Sequence, residues 1–279
     1  MVDIEVAEHA GACYGVNRAL SIAREAAVGP GPAHTLGPLI HNPRVVAELE
    51  ASGIGVAESL DEAGSGTLVL RSHGTAPAVK EQAVARGFNV VDATCPYVAK
   101  VQKHARELGE AGYAVVIIGE PGHAEVESIR AFGGDAVVAV ADTPDRLPDE
   151  LPDKVGVVIQ TTQSQEHVDA VLFCLRARVH EVLVKDTVCL ATQERQKAAA
   201  ELAARVELMF VVGGHNSGNT TRLFEICRAS CPATYHIESA DEIDPRWLSD
   251  AGRIGVTAGA STPKEHIDAV CARIRELAG

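Results

Sequence analysis

Apolar residues in this chain fall into short runs, each followed by a polar loop and then by a stretch with apolar positions at helical spacing. The runs end at Leu70, Ile118, Ile159, Val212 and Val256, and another, Val2 to Val6, opens the chain. Runs of this length, rich in Val and Ile and bounded by Gly, Ser, Thr, Asn or His, predict buried strands. After Cys95, residues Val98, Val101, Ala105 and Leu108 recur at helical spacing until Gly109 and Gly112 stop the pattern. Strand, loop and helix repeated this often predict an α/β fold with small, largely parallel sheets. In such folds ligands bind in the loops at the carboxyl ends of the strands.

Those loops read Arg71-Ser72-His73-Gly74, Gly119-Glu120-Pro121-Gly122-His123, Gln160-Thr161-Thr162, Gly213-Gly214-His215-Asn216-Ser217-Gly218-Asn219-Thr220 and Thr257-Ala258-Gly259-Ala260-Ser261-Thr262-Pro263. His41-Asn42-Pro43, after Leu39-Ile40, adds a sixth. Uncharged hydrogen-bond donors beside helix N-termini favour an anion, because free backbone N–H groups and the positive dipole end point at it. A phosphate or diphosphate is the expected guest. Plain N-capping competes at every one of these loops. The shared position of His41, His73 and His123, each at a strand-to-helix junction, favours one common pocket instead.

Cys13, Cys95 and Cys189 recur at intervals of about a third of the chain, each at the entrance to a helix pattern, and two of them in the setting strand, Asp-x-x-Cys, helix. The recurrence predicts three units, 13–95, 96–188 and 189–279, with an N-terminal strand 1–12 joined to them. Length alone would favour about two domains. Each unit presents one thiol to a shared centre, and a helix N-terminus favours the thiolate, the ligand form. Soft thiolates select zinc, copper(I) or an iron–sulfur cluster. Three of them leave a coordination position open for substrate, and on a four-iron cluster that position is an iron.

The other cysteines read differently. Cys174 and Cys271 lie inside helix patterns as core residues. Cys227 and Cys231 form C-x3-C on the helix after the Asn-Ser-Gly-Asn loop, a pair that needs two further ligands to hold zinc. Glu125 and Glu127 follow His123. One buried beside an anion would carry a proton at neutral pH, while two solvated first-turn glutamates would merely complement the helix dipole. Thr161 is either a proton relay or a cap.

Composition narrows the classes. A net charge of -13 and a pI near 5.3 argue against a nucleic-acid partner. No run of 18 apolar residues and no signal h-region are present, so no membrane span and a cytoplasmic location are expected. Seven cysteines in no compact framework predict reduced thiols. No nucleotide-binding fingerprint appears, so reducing equivalents for any redox step should arrive from another protein.

Gly11-Ala12-Cys13-Tyr14-Gly15-Val16, Ile40-His41-Asn42-Pro43, Ser72-His73-Gly74, Asp92-Ala93-Thr94-Cys95-Pro96, Gly122-His123-Ala124-Glu125-Val126, Gln160-Thr161-Thr162, Asp186-Thr187-Val188-Cys189, Asn216-Ser217-Gly218-Asn219 and Gly255-Val256-Thr257-Ala258-Gly259-Ala260-Ser261 closely resemble, in order and over the whole chain, the motifs of the IspH (LytB) family. The resemblance implies three α/β units in a pseudo-threefold arrangement around a central [4Fe-4S] cluster. That cluster would be held by Cys13, Cys95 and Cys189, with one iron not ligated by protein. It implies pocket histidines at His41, His73 and His123, a proton donor at Glu125, and catalytic roles for Thr161 and His123. Thr161, Ser217, Asn219 and Ser261 match substrate-contacting positions, with Gly218 among them. The implied reaction is reductive dehydroxylation of 4-hydroxy-3-methylbut-2-enyl diphosphate to isopentenyl and dimethylallyl diphosphates, with ferredoxin or flavodoxin as the suggested electron donor. Gly218 replaces a usual serine, His215 a common lysine and Ala124 a usual proline. These departures keep open a paralogue acting on another allylic or hydroxylated substrate. A non-catalytic iron–sulfur sensor, with a fourth ligand such as Cys227, and a zinc-dependent phosphate-ester hydrolase are the readings from other classes.

Overall fold

The computed structural model describes residues 2–249 and 251–279. In chain order, β1 (Asp3–Val6) and α1 (Tyr14–Ala27) lead into β2 (Ala33–Leu36), α2 (Pro43–Ala51), β3 (Ile54–Ala57), α3 (Leu60–Ala63), β4 (Thr67–Leu70), α4 (Pro77–Ala85), β5 (Asn89–Asp92) and α5 (Pro96–Glu110). The same succession follows with β6 (Ala114–Ile118), α6 (Ala124–Gly133), β7 (Val137–Ala141), β8 (Lys154–Ile159), α7 (Gln165–Arg178), β9 (Glu181–Lys185) and α8 (Leu190–Ala203). It closes with β10 (Leu208–Val212), α9 (Gly218–Ser230), β11 (Thr234–Ile237), β12 (Arg253–Ala258) and α10 (Lys264–Ala278).

The strands form three four-stranded sheets, ordered β5-β4-β2-β3, β9-β8-β6-β7 and β1-β12-β10-β11, and every neighbouring pair is parallel. The three orders are one order repeated. Each sheet therefore has its switch point between the two central strands, β2/β4, β6/β8 and β10/β12, where the crevice outside the carboxyl ends accepts ligands. Each sheet also has an edge strand, β5, β9 or β1, that leads to a cysteine. The third edge strand is supplied by the start of the chain, not by the segment that follows β12. The α/β class with three similar parallel units read from the sequence agrees with this.

The chain divides into two compact units. One comprises Met1–Val16, His41–Val46 and Leu190–Gly279, the other Asn17–Ile40 and Ala47–Cys189. In the first, the β1-β12-β10-β11 sheet is apolar on both faces, because successive side chains of a strand point to opposite sides. Leu208, Phe210 and Val212 meet Ile267, Val270 and Ile274 of α10, while Met209 and Val211 meet Ala199, Leu202, Leu223 and Cys227 of α8 and α9. In the second, Val116, Ile118, Val157 and Ile159 are covered by Val168, Val171 and Leu175 of α7, and Val115, Ile117 and Val158 by α5 and α6. Leu68 and Leu70 pack on α3 and α4.

Two expectations are corrected. The last strand does not end at Val256 but at Ala258, since Thr257 and Ala258 stay in register with Val211 and Val212, and buried Thr257 only interrupts the apolar run. Cys231 does not share a helical face with Cys227. It lies past the end of α9 with extended backbone, φ −124° and ψ 96°, as the residue before Pro232 is sterically driven to do.

Candidate active site

In the second unit the predicted residues cluster at the carboxyl ends of β4, β6 and β8. The turn after β4 is tied to the preceding loop by Ser72, whose N–H and hydroxyl donate to Leu39 O at 3.2 and 2.9 Å. The loops after β6 and β8 are tied by Gln160, which is fully buried and accepts the Glu120 N–H on Oε1 at 2.8 Å. His73 and His123 meet edge to face with ring centroids 5.7 Å apart. His123 caps α6, accepting the Glu125 N–H on Nδ1 at 3.1 Å. An imidazole that accepts at Nδ1 carries its proton on Nε2, so His123 is fixed as a donor through that atom.

Glu125 is only 3% exposed, although it occupies a first helical turn, whereas Glu127 is exposed. Its Oε1 accepts the Thr161 N–H at 2.7 Å and its Oε2 the Thr161 hydroxyl at 2.8 Å. Burial raises its pKa to about 7 against the lowering effect of both Thr161 bonds, with Glu120 adding a smaller push upward. Thr161 is thus neither a helix cap, a role taken for α7 by Ser164, nor idle. Its carbonyl accepts the Cys189 N–H at 3.0 Å, so one residue bridges the buried carboxyl and a cysteine backbone. The Cys95 N–H likewise donates to Ser72 O at 2.9 Å.

In the first unit the loops after β10 and β12 converge with residues 41–46. Ser261 donates its hydroxyl to His41 O at 2.9 Å, and Asn42, buried, donates Nδ2 to Ser261 O at 2.9 Å while its Oδ1 accepts the Val45 N–H at the start of α2. Ser217 caps α9, accepting the Thr220 N–H at 3.4 Å, and its hydroxyl proton stays free to donate. Asn219 is 5% exposed and neither end of its amide has a hydrogen-bond partner, nor has the fully buried Thr220 hydroxyl. Buried polar atoms without protein partners at a helix N-terminus suit an anionic ligand. Gly218 is the first residue of α9. A Cβ on Gly259 would come within 2.1 Å of Thr220 Oγ1, so the loop after β12 passes against the first turn of α9 only as glycine. His215, on the loop after β10, is largely exposed, with Nε2 3.8 Å from Glu242 Oε2.

The Cys13 N–H donates to Ala260 O at 3.1 Å. All three cysteines are therefore held alike, by their N–H on the loop after the neighbouring strand: β12 for Cys13, β4 for Cys95, β8 for Cys189. All are half-buried, and none is in a disulfide. Cys13 belongs to the first unit and Cys95 and Cys189 to the second, and among the described residues no three His, Cys, Asp or Glu side chains are grouped in metal-holding geometry. Cys227 is fully buried in the core, and burial, with Cys231 adding to it, lifts its thiol pKa to about 12. It is a neutral core thiol. Cys271 is a buried core residue of α10 as expected, whereas Cys174 of α7 is only half-buried at the margin of its core.

The profile described as LytB protein matches residues 4–275. The chain belongs to the LytB family. LytB relatives named 4-hydroxy-3-methylbut-2-enyl diphosphate reductase include those of Pelobacter propionicus, 46% identical over 272 residues (98% of this chain, 97% of that protein), and Geobacter sulfurreducens, 47% identical over 278 residues (99% and 98%). A solved (E)-4-hydroxy-3-methyl-but-2-enyl diphosphate reductase, described as the terminal enzyme of the non-mevalonate pathway, aligns with a TM-score of 0.71 at 40% identity, covering 99% of this chain and 100% of that one. The Plasmodium falciparum reductase structure shares the fold, with a TM-score of 0.90 at 24% identity over 96% of this chain and 86% of that one. LytB membership implies an iron–sulfur cofactor. No described helix is long and apolar enough to cross a membrane.

Residue patterning left several positions of this LytB site unassigned. Asn42 and Gln160 stood in the motifs as neighbours of candidates, yet they fasten the loops together. Gln102 of α5 donates to Ser128 of α6 at 2.6 Å, both buried, beneath the His73-Gly74 turn. Only the helical phase of Gln102, on the same face as Val98 and Ala105, could have flagged it.

Proposed function

We infer that this chain catalyses reductive removal of the hydroxyl from 4-hydroxy-3-methylbut-2-enyl diphosphate. Two electrons and two protons enter, water leaves, and isopentenyl or dimethylallyl diphosphate is formed. The observation that carries the reading is Glu125, a buried carboxyl poised near neutrality, hydrogen-bonded through Thr161 to the backbone of Cys189. A carboxyl with its pKa near the working pH is suited to deliver a proton to a departing hydroxyl.

The donor set fits an iron–sulfur group, since Cys13, Cys95 and Cys189 are half-buried, outside any disulfide and held by equivalent backbone bonds. Cys13, Cys95 and Cys189 would hold a [4Fe-4S] cluster with one iron left without a protein ligand, which would supply the electrons and a Lewis-acidic position for the substrate hydroxyl. Glu125 holds the proton, Thr161 orients it, and His123 offers its Nε2–H to the same region. His41, His73, Ser217, Gly218, Asn219 and Ser261 hold the diphosphate, with Ser261 exchanging the His41 carbonyl for a phosphate oxygen and Gly218 contributing backbone where a serine hydroxyl is usual. Electrons come from a ferredoxin or flavodoxin. The division into repeats 13–95, 96–188 and 189–279, the strand of 1–12 joined to the third, belongs to the same reading and rests on the common strand order. The sensor reading finds no support in Cys227, a core thiol.

The test is anaerobic purification with iron and sulfide analysis, then turnover with a chemical reductant and the five-carbon diphosphate. Iron, sulfide and the two products are expected with Gly218 in place. Zinc without sulfide, or an intact cluster with no turnover of this substrate, would sink the reading.

A further inference from the structure

Two of the helices that leave the cysteine loops send an arginine to the loop of a different cysteine. From α1, which follows Cys13, Arg18 donates Nη1 to Thr94 O at 3.1 Å, the carbonyl just before Cys95. From α8, which follows Cys189, Arg195 donates Nη2 to Gly11 O at 2.8 Å, two residues before Cys13, and Nη1 to Ala191 O of its own helix. Arg195 is 3% exposed and Arg18 is half-buried. A guanidinium presents its donors in a rigid fork, so each arginine can hold a carbonyl of another cysteine's loop in a set direction.

The loops these arginines reach also make hydrogen bonds of their own, and each arginine adds a hold on one carbonyl. Thr94 gives its N–H and hydroxyl to Asp92 Oδ1 at 3.0 and 2.6 Å, the next N–H, that of Cys95, goes to Ser72 O, and Arg18 takes the carbonyl between them. Gly11, at φ +98°, gives its N–H to Ala258 O at 3.3 Å, and Arg195 takes its carbonyl. The Cys189 loop is fastened differently, by the buried Thr187 hydroxyl, which accepts from Ile159 N–H at 2.9 Å and donates to Ile159 O at 2.5 Å.

We propose that Arg18 and Arg195 are positioning residues that hold the Cys95 and Cys13 loops in ligand-ready geometry before any cluster binds, each from the helix of another cysteine. Loading then needs no ordering of those loops, and a disturbance at one cysteine's helix is felt at the next cysteine. This inference rests on the three thiols being the cluster ligands.

The metal-free chain tests it by alkylation with iodoacetamide under native, anaerobic conditions, the rate at each cysteine being read by peptide mass mapping. Arg18→Met is expected to raise the Cys95 rate roughly tenfold, the factor that follows from losing one hydrogen bond to a charged donor, with Cys189 within about twofold of wild type as internal control. Iron bound on reconstitution should fall in step, and Arg18→Lys, which keeps the charge and one donor, should recover part of both. Equal Cys95 rates and equal iron in wild type and Arg18→Met would overturn the proposal. Should Arg18→Met not fold, Arg18→Lys carries the comparison at smaller amplitude, and its identity with wild type in both readouts overturns the proposal. A wild-type chain that takes up no iron and sulfide would defeat the assigned function instead, whatever the alkylation contrast.

Discussion

At the scale of single residues, the site works by placing ordinary side chains where water is absent. Glu125 shows the consequence most directly. Its folded pKa, about 7, lies above the ordinary carboxyl value of 4.5, so between those pH values the unfolded chain has released a proton that the folded chain keeps. Stability contributed by this group is complete below pH 4.5 and falls as pH rises toward 7, by about 3 kcal/mol at most. Urea unfolding at several pH values should show that slope in the wild type and a flatter one in Glu125→Gln. The same substitution should lower turnover by roughly 10²- to 10⁴-fold with iron content unchanged, and the wild-type rate should decline as pH rises past about 7. Near wild-type turnover in Glu125→Gln would remove its role. Asn219 is the complementary case. With both ends of its buried amide unpartnered, Asn219→Ala should cost the folded chain little. It should raise KM for the diphosphate by roughly ten- to a hundredfold, the worth of a hydrogen bond to a charged group. Steady-state kinetics beside a thermal melt separate the two effects.

At the scale of elements, positions depend on contacts between helices that no local pattern announces. Gly74 follows His73 with φ +80°, and a Cβ there would lie 2.1 Å from Gln102 Nε2 and 2.7 Å from Ser128 Oγ. Gly74→Ala must therefore adopt a left-handed backbone and break the bond joining α5 to α6, the helices that begin after Cys95 and His123. A loss of more than about 2 kcal/mol in chemical denaturation is expected, and an unchanged midpoint would refute the clamp. What could be read from the sequence divides along the same line. Central strands such as β4 and β10 were legible because parallel strands buried on both faces are continuously apolar. The loops after them were legible because chemistry concentrates there. Glu125 was ambiguous because the partner that decides its state, Thr161, is 36 residues away, and beside exposed Glu127 it reads as a solvated first turn. Arg18 and Arg195 carried no signal at all, since an arginine on a helix is most often a surface charge.

At the scale of the molecule, one strand order occurs three times, and each copy presents a cysteine after its edge strand. The third copy borrows that edge strand from the start of the chain, which is why the cysteine spacing announces the repeat while the apolar runs alone do not. The repeat makes a prediction about which thiols matter. Cys13, Cys95 and Cys189 are half-buried on loops, so replacing any one by serine removes little packing. Cys227, by contrast, is fully buried among Ala199, Leu202 and Leu223, and replacing it by alanine leaves a void costing on the order of 1 kcal/mol. The two classes should separate cleanly. Cys95→Ser should melt within about 2 °C of the metal-free wild type, since serine keeps the backbone bonds of this half-buried position, yet bind far less iron. Cys227→Ala should melt about 2 °C lower and bind iron fully, so iron content is the readout that divides the classes. Iron retained by the loop variants, or lost specifically from Cys227→Ala, would mean that the chemistry of this fold resides in a different set of sulfurs.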